Sequence, residues 1–222
     1  MLDDHNEDIK FDDDDLDSDS MPLPVTGLIL CGGKSKRMGR PKAFLPYEGT
    51  TIINHLIRSL GGVFRQTLLV SNEPEDFEDL DIDVVKDILP HRGPMGGILS
   101  GLLVAHYDHS FVIACDMPLV DKNLILNLAR KRRENDVVIV SHDNGVEPLL
   151  GVYSKACVKP LEESLFSGTL SVKDLLGDLS CSMVRVKSSD NGDLPAYFNV
   201  NTPKDYSRLI TKSSVETLSS KD

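Results

Sequence analysis

The chain has 222 residues, a formal net charge of −11 at pH 7 and 40% hydrophobic residues, a composition that is ordinary for one globular core. It has no apolar run of membrane-spanning length and no basic segment followed by an apolar one, so we expect neither a membrane span nor a secretory signal. The excess of acid argues against a protein that binds nucleic acid by neutralising phosphates.

The acidic residues are concentrated at the start of the chain. Residues 1–20 hold ten acids and one base, and so carry −9 of the net charge of −11. Such a segment buries too little apolar surface to offset the entropy of ordering. We therefore expect residues 1–22 to be a disordered tail, residues 23–211 to be one folded domain and residues 212–222 to be a polar C-terminal tail.

Short apolar runs rich in β-branched residues alternate along the chain with segments of helical period. The predicted strands are 25–31, 66–70, 83–86, 110–114 and 136–140, and the helices between them are 51–60, 95–106 and 121–133. The alternation continues through 149–153, 154–166, 171–176, 183–186 and 202–210. Uninterrupted apolar strands need cover on both faces, so the sequence predicts a single α/β domain with a mostly parallel twisted sheet and helices on both sides.

Two helix starts are marked by side chains that can cap them. Asp121 is placed to cap the helix that ends near Arg133,. Thr202 is followed by Pro203 and, three residues on from the threonine, by Asp205, which is the pattern of a capped helix with proline in its first turn.

The cysteines and histidines form no metal or disulfide pattern. The four cysteines contain no CxxC pair, and the six histidines contain no HxxxH or HExxH pattern,. Cys31 and Cys115 end apolar runs, and we expect them to be small core residues in a reducing compartment. The sequence therefore predicts a cytoplasmic protein.

Ligands of parallel sheets bind beyond the carboxyl ends of the strands. The segments that follow the predicted strands are 32–42, 71–72, 87–97, 116–118 and 199–202. The first of them combines Gly32 and Gly33 with five basic residues between positions 34 and 42. Because glycines let backbone N–H groups approach phosphate oxygens and cations neutralise their charge, this loop predicts a polyphosphate site. It matches neither the P-loop nor the G-x-G-x-x-G dinucleotide motif.

Three motifs resemble those of the molybdenum cofactor guanylyltransferases, nucleotidyltransferases with a Rossmann-like, glycosyltransferase-A-type fold. They are L-x-G-G-x-S-x-R-M-G-x-P-K at 30–42, C-D-x-P at 115–118 and F-N-V-N-T-P at 198–203. The resemblance extends from Thr26 to Ile210. It implies transfer of GMP from GTP to the terminal phosphate of molybdopterin or Mo-molybdopterin, with release of pyrophosphate and formation of the guanine dinucleotide form of the cofactor.

The resemblance also implies roles for single residues. It makes Arg37, Lys42 and Asp116 catalytic, with both cations at the triphosphate and Asp116 as the ligand of Mg²⁺, the implied cofactor. The residues that it places at the nucleotide are Leu30, Cys31, Gly32, Gly33, Lys42, Ser71, Asn72, Asp87, Gly93 and Asp116. It places Asn199 and Asn201 at molybdopterin, and Glu147-Pro148-Leu149 resembles the family's strand on the substrate side.

The implied partners are GTP, molybdopterin, and the proteins that deliver molybdopterin or accept the product. Two other functions stay open on the sequence. One is a nucleotidyltransferase of the same fold that uses CTP or UTP, which Arg40-Pro41-Lys42 favours slightly. The other is a nucleotide-binding module without activity. Asp116 could also be a turn acid, and Asn199 and Asn201 could be turn-forming residues.

Overall fold

The computed structural model describes residues 22–32, 41–168, 172, 179–187 and 193–219. The predicted acidic tail and most of the predicted helix 171–176 lie outside these residues, as do the predicted site residues Gly33 and Arg37. The division of the chain into a domain with two tails stays a prediction.

A central sheet organises the described part of the chain. Its seven strands are β1 (Leu23–Cys31), β4 (Phe64–Ser71), β5 (Asp83–Lys86), β6 (His109–Ala114), β7 (Val137–His142), β8 (Gly145–Ser154) and β9 (Cys181–Arg185). Two short strands, β2 (Pro46–Tyr47) and β3 (Thr50–Thr51), form a separate antiparallel ribbon. The strand order of the central sheet is β5-β4-β1-β6-β8-β7-β9. Every pair is parallel except the two that involve β8, so the predicted, mostly parallel sheet is confirmed.

Helices cover both faces of the sheet, as predicted. The helices in the described residues are α1 (Ile52–Leu60), α2 (Pro94–Val104), α3 (Lys122–Arg130), α4 (Val158–Ser167) and α5 (Pro203–Ser219). Successive residues of β1 point to opposite faces, so Ile29 joins the core cluster that α1 and α3 cover, while Leu28 joins the cluster that α2 and α4 cover. Among the described residues, every helix is too short or too polar to cross a bilayer.

The predicted helix starts are confirmed and some ends differ. Asp121 caps α3 by accepting a hydrogen bond from Leu124 N–H at 2.9 Å, and α3 gives way after Arg130 to a short 3₁₀ turn. The last helix runs to Ser219 rather than ending at residue 210. It continues because the sequence offers no glycine or proline after Pro203 to stop it,.

Strand β8 is longer than the predicted run 149–153, and the structure adds its direction and register, which the apolar pattern does not predict. It begins at Gly145 rather than at residue 149, and it runs antiparallel to both of its neighbours. Its pairing with β7 shifts between Ile139, which lies opposite Gly151, and Val140, which lies opposite Glu147. The shift skips residues 148–150 of β8, an irregularity of the β-bulge type, which bends a strand and redirects its side chains,. It lies at the edge of the sheet where the parallel strands end.

Candidate active site

A cavity of about 780 Å³ lies at the carboxyl ends of the parallel strands, which is the size of a small-molecule site. Many of the predicted site residues line it: Leu30, Cys31, Gly32, Ser71, Asn72, Asp87, Gly93, Asp116, Asn199 and Asn201. An adjoining cavity of about 380 Å³ shares part of this wall, including Asp116, and adds Lys42. The predicted residues that the structure describes therefore converge on one region.

Lys42 and Asp116 form an ion pair at the join of the two cavities. Lys42 Nζ donates to Asp116 Oδ2 at 2.9 Å and to Asn201 Oδ1 at 2.6 Å. The side chains of Lys42 and Asp116 are 20% and 16% exposed, so water screens the pair only in part. One cation thus links residues that lie 74 and 159 positions away along the chain.

Local packing fixes the backbone that carries Lys42. The lysine begins a 3₁₀ turn, Lys42–Phe44, in which Ala43 is buried. The ring of Phe44 stacks on Phe77, with 5.3 Å between centroids. Because its neighbours are anchored in the core, the lysine extends from a fixed point toward the cavity.

A reciprocal cap holds Asn201 in place at the start of α5. Thr202 Oγ1 accepts from Asp205 N–H at 3.2 Å, while Asp205 Oδ2 accepts from Thr202 N–H at 2.8 Å and from Asn201 N–H at 3.2 Å. This is a capping box with aspartate as its acid. Desolvation by itself raises the pKa of Asp205, but the bonds from Thr202 and Asn201, with Arg208 nearby, lower the pKa below its usual value. The segment is also tied to the sheet, since Val200 N–H donates to the carbonyl of Asp116 at 2.9 Å.

Asp87 is a buried carboxylate in the cavity wall beyond β5, only 5% exposed. Its Oδ1 accepts from Leu89 N–H at 2.9 Å and lies 2.9 Å from the hydroxyl of Ser100 on α2. The first turn of α2 approaches it closely at Gly96, where a Cβ would lie 2.8 Å from Leu89 O and 3.3 Å from both carboxylate oxygens. The glycine-rich segment after Asp87 is therefore required for this approach.

Ser71 ends β4 and Asn72 follows it, and the two differ in what they can offer a ligand. Ser71 is 2% exposed, and its hydroxyl accepts from Glu73 N–H at 3.1 Å, which holds the turn after the strand. Among the described residues, Asn72 Oδ1 is a buried atom with no hydrogen-bond partner. An unpaired buried carbonyl is unfavourable unless a ligand satisfies it, so Asn72 is the better candidate for contact with a ligand.

The opposite wall of the cavity is formed by Glu147 on β8 and by Asn199. Glu147 Oε1 lies 3.1 Å from His142 Nε2, and Asn199 Nδ2 donates to Glu147 Oε2 at 3.5 Å and to Tyr197 O at 3.4 Å. The rings of His142 and Tyr197 stack with centroids 4.3 Å apart. His142 and Tyr197 thus support the two residues that line the cavity, and we call the four residues the Glu147 cluster.

Two thiols lie at the cavity, one at the end of β1 and one just after β6. Cys31 is buried, as predicted, whereas Cys115 is half-buried. Burial raises the pKa of the Cys31 thiol well above its usual value, and the neighbouring Cys115 and Asp116 raise the pKa further. At neutral pH Cys31 is therefore an uncharged wall residue and not a nucleophile.

His142, Tyr197 and Ser100 are parts of the site that the sequence does not reveal. They belong to no motif. Ser100 bonds Asp87, 13 positions earlier, and Tyr197 stacks on His142, which is remote in sequence. His142 and Glu147, by contrast, flank a tight turn at 143–144. That turn, in the sequence Asp-Asn-Gly between two apolar runs, is a hairpin signal. It could have placed His142 beside Glu147.

The comparisons with known proteins agree with this geometry. The model of the MobA-like NTP transferase domain family matches residues 27–182. A protein of Clostridium perfringens (strain 13 / Type A) named "Probable molybdenum cofactor guanylyltransferase" is 31% identical over 198 residues, covering 87% of this chain and 100% of that protein. The molybdenum cofactor guanylyltransferase of Desulfosudis oleivorans is 32% identical, covering 82% of this chain and 92% of that protein.

A solved structure gives the same result. Molybdopterin-guanine dinucleotide biosynthesis protein A from Archaeoglobus fulgidus superposes with a TM-score of 0.74 at 26% identity, covering 86% of this chain and 100% of that chain. The fold and the family model define the class of the protein, a nucleotidyltransferase. Within that class, the chain belongs to the family of the molybdenum cofactor guanylyltransferases. The resemblance seen in the three motifs is confirmed.

Proposed function

We propose that this protein transfers GMP from GTP to the terminal phosphate of molybdopterin, or of its molybdenum-loaded form, and releases pyrophosphate. The product is the guanine dinucleotide form of the molybdenum cofactor. Family membership supports the class of reaction. The observation that carries the proposal is the position of Lys42, which bonds at once to Asp116 and to Asn201 in the cavity wall.

The reaction needs no nucleophile from the protein. A phosphate oxygen of molybdopterin attacks the α-phosphorus of GTP, the bond from that phosphorus to the bridging oxygen breaks, and pyrophosphate leaves with the electron pair. The protein therefore acts by positioning two anions and by stabilising the charge that develops between them. Lys42 supplies positive charge at the join of the two cavities, where both reactants can reach it.

The residues at this point fit a magnesium ion that is shared with the triphosphate. Among the described residues, no group of three or more His, Cys, Asp or Glu side chains could hold a metal by itself. Mg²⁺ bound to phosphates usually takes one or two carboxylates and completes its shell with phosphate oxygens and water. Asp116 would be that carboxylate, and the bound ion would neutralise charge on the phosphate oxygens.

We assign the guanosine to the end of the cavity formed by Asn72 and Asp87. Guanine presents two N–H donors on one edge, whereas cytosine presents acceptors at the corresponding positions. The unpaired Oδ1 of Asn72 and the buried carboxylate of Asp87 are acceptors in the same wall. Leu30, Cys31, Gly32 and Gly93 line the same cavity and would contact the nucleotide there.

Three further parts of the proposal rest on the resemblance. Arg37 and Gly33, in the segment between Gly32 and Pro41, would contact the triphosphate, Asn199 and Asn201 would contact molybdopterin, and separate proteins would deliver molybdopterin and accept the product. The cytoplasmic location is a prediction from the cysteines, which form no disulfide pattern,.

The test is product formation with each nucleotide in turn. The full chain is incubated with Mg²⁺, molybdopterin and GTP, CTP or UTP, and the product is identified by mass spectrometry. We expect the guanine dinucleotide and an equal amount of pyrophosphate from GTP alone. Product from CTP or UTP but not from GTP would assign another base, and binding of GTP without any product would favour a module without activity.

A further inference from the structure

We propose that Glu147 recognises the pterin ring of molybdopterin and so determines the choice of acceptor. The inference rests on the proposed function. The resemblance only places the segment of Glu147 on the substrate side, and the inference adds a specific contact between its carboxylate and the pterin. The Glu147 carboxylate would accept the parallel N–H donors on the pyrimidine edge of the pterin, the 2-amino group and N3–H. Two oxygens facing two parallel donors make a bidentate pair, the geometry that gives a carboxylate its specificity.

The fold directs Glu147 to the cavity by means of the β8 bulge. Because β8 runs antiparallel to β6, its first half lies at the edge where the parallel strands end. The register shift opposite Ile139 and Val140 places Glu147 in the cavity wall. The hydroxyl of the fully buried Tyr153 donates to Pro148 O at 2.6 Å and so fixes the bulge one residue beyond Glu147.

A histidine orients the carboxylate of Glu147. Asn144 N–H donates to His142 Nδ1 at 3.2 Å. Because Nδ1 accepts this bond, the ring proton lies on Nε2, which donates to Glu147 Oε1 at 3.1 Å,. The His142 side chain is 9% exposed and that of Glu147 is 24% exposed. His142 is thus a positioning residue, and the ring of Tyr197 stacks on its ring.

The charge of Glu147 disfavours direct contact with phosphate. Both substrates carry phosphates, which a carboxylate repels unless a cation lies between them, as we propose at Asp116. The Glu147 carboxylate is better matched to a part of a substrate that is uncharged and offers N–H donors. Rings of the pterin and guanine type are such parts, because each has an amino group beside a ring N–H.

The strand order separates the two ring-binding ends. Asn72 follows β4, Asp116 follows β6, and Glu147 lies on β8. In the order β4-β1-β6-β8, strands β4 and β8 are separated by three strand spacings, or about 14 Å. The product has a ring system at each end and a diphosphate between them. The cavity matches this order, with acceptors at both ends and Lys42 with Asp116 between them.

The first experiment measures both substrates separately with Glu147→Gln, which keeps the shape of the side chain and removes its charge. We expect KM for molybdopterin to rise about tenfold or more and KM for GTP to stay within about twofold. Glu163→Gln on the exposed face of α4 is the matched control. A rise in KM for GTP with KM for molybdopterin unchanged would place guanine at Glu147, and equal rises in both would show a general disturbance of the site. Either result, or an unchanged KM for molybdopterin, would overturn the inference.

The second experiment measures how well the protein recognises the pterin ring, without any turnover. Binding of biopterin is compared by fluorescence with binding of the corresponding lumazine, in which oxygen replaces the 2-amino group. We expect the parent protein to prefer biopterin by about tenfold and Glu147→Gln to lose this preference. No preference in the parent would overturn the inference. A parent that shows the preference but makes no product from molybdopterin would refute the proposed function and leave the pterin site standing.

His142→Phe separates positioning from folding. Phenylalanine keeps a ring against Tyr197 and removes the donor to Glu147. We expect KM for molybdopterin to rise about threefold to fivefold with the GTP parameters unchanged. If His142 serves only the fold, the melting temperature would fall while KM for molybdopterin stays at the parent value.

Discussion

Lys42 is the residue on which the proposed chemistry depends most. It is held by two partners from different parts of the chain and lies at the join of the two cavities. A cation fixed in place before the reaction stabilises developing charge without having to reorganise. Its side chain is partly exposed and outside the core, so its loss is expected to affect catalysis more than folding.

We predict that Lys42→Met lowers kcat by about 10² to 10³, the effect of removing one preorganised donor. Product formation is followed under saturating GTP and molybdopterin. Lys159→Met, at an 83% exposed lysine on α4, is the control and keeps full activity. Equal activity of Lys42→Met and the parent would remove Lys42 from the mechanism.

A buried thiol away from the site links stability to pH. Burial raises the pKa of Cys157 to about 11, while the ordinary value is 9.0. As pH rises between these values, the unfolded chain releases the thiol proton and the folded chain keeps it, so stability falls. Below pH 9 the contribution is fully present.

We therefore predict that Cys157→Ala loses less stability than the parent when pH rises from 8 to 11, by up to about 3 kcal/mol. Chemical unfolding at several pH values measures the difference between the two proteins, which removes the contributions of all other groups. A difference that stays constant with pH would show that the thiol titrates normally in the folded protein.

At the scale of elements, the start of α5 shows how a local signal positions a distant contact. Thr202, Pro203 and Asp205 predict the helix start from sequence alone, and the capping box is present. The same acid also accepts from Asn201 N–H. The cap thus fixes the residue that bonds Lys42, a consequence that no local pattern reveals.

We predict that Asp205→Ala lowers the free energy of unfolding by about 1 kcal/mol and raises KM for molybdopterin. Because the pKa of Asp205 is lowered in the folded state, its stabilisation is present above the ordinary carboxyl pKa and is lost as pH falls through the lowered value. Unfolding of the parent and of Asp205→Ala is compared at neutral and acidic pH, with the exposed Glu162→Ala as control. If Asp205→Ala lost the same stability at neutral and at acidic pH, the charged carboxylate of Asp205 would not be what stabilises the cap.

The β8 strand shows what the apolar pattern could not predict. The run 149–153 predicts a strand but gives neither its direction nor its bulge. Direction depends on the turn at 143–144, and the bulge depends on the hydroxyl of Tyr153 reaching Pro148. The turn and the bond from Tyr153 to Pro148 are specific local contacts, and the hydrophobic period of a strand does not predict either of them.

At the scale of the whole molecule, the sheet explains why so much of the site could be predicted. Parallel strands end at one edge, so motifs that follow separate strands are brought together by topology alone. The segments that follow the strands include Lys42, Asp87, Asp116 and Asn201, and the resemblance to the family singles out these residues within them. Within the Glu147 cluster, the resemblance places Asn199 and the strand segment of Glu147 at the substrate, but it does not reveal His142 and Tyr197. These two rings stack although one ends β7 and the other lies 55 residues later in the sequence.

The same strand order gives the cavity two ends and a middle. Acceptors near β4 and β5 suit guanosine, acceptors on β8 suit the pterin, and the cation and acid between them suit the phosphates. The proposed reaction depends on the region of Lys42 and Asp116, because the phosphates of both substrates must meet there.

Calorimetric titration of GTP into the protein, with and without Mg²⁺, tests most directly whether this region binds the triphosphate together with a magnesium ion. We predict that Mg²⁺ strengthens binding of GTP by about tenfold or more in the parent and that Asp116→Asn loses this gain while still folding. An affinity that does not change with Mg²⁺, or an Asp116→Asn variant that retains the full gain, would contradict the account.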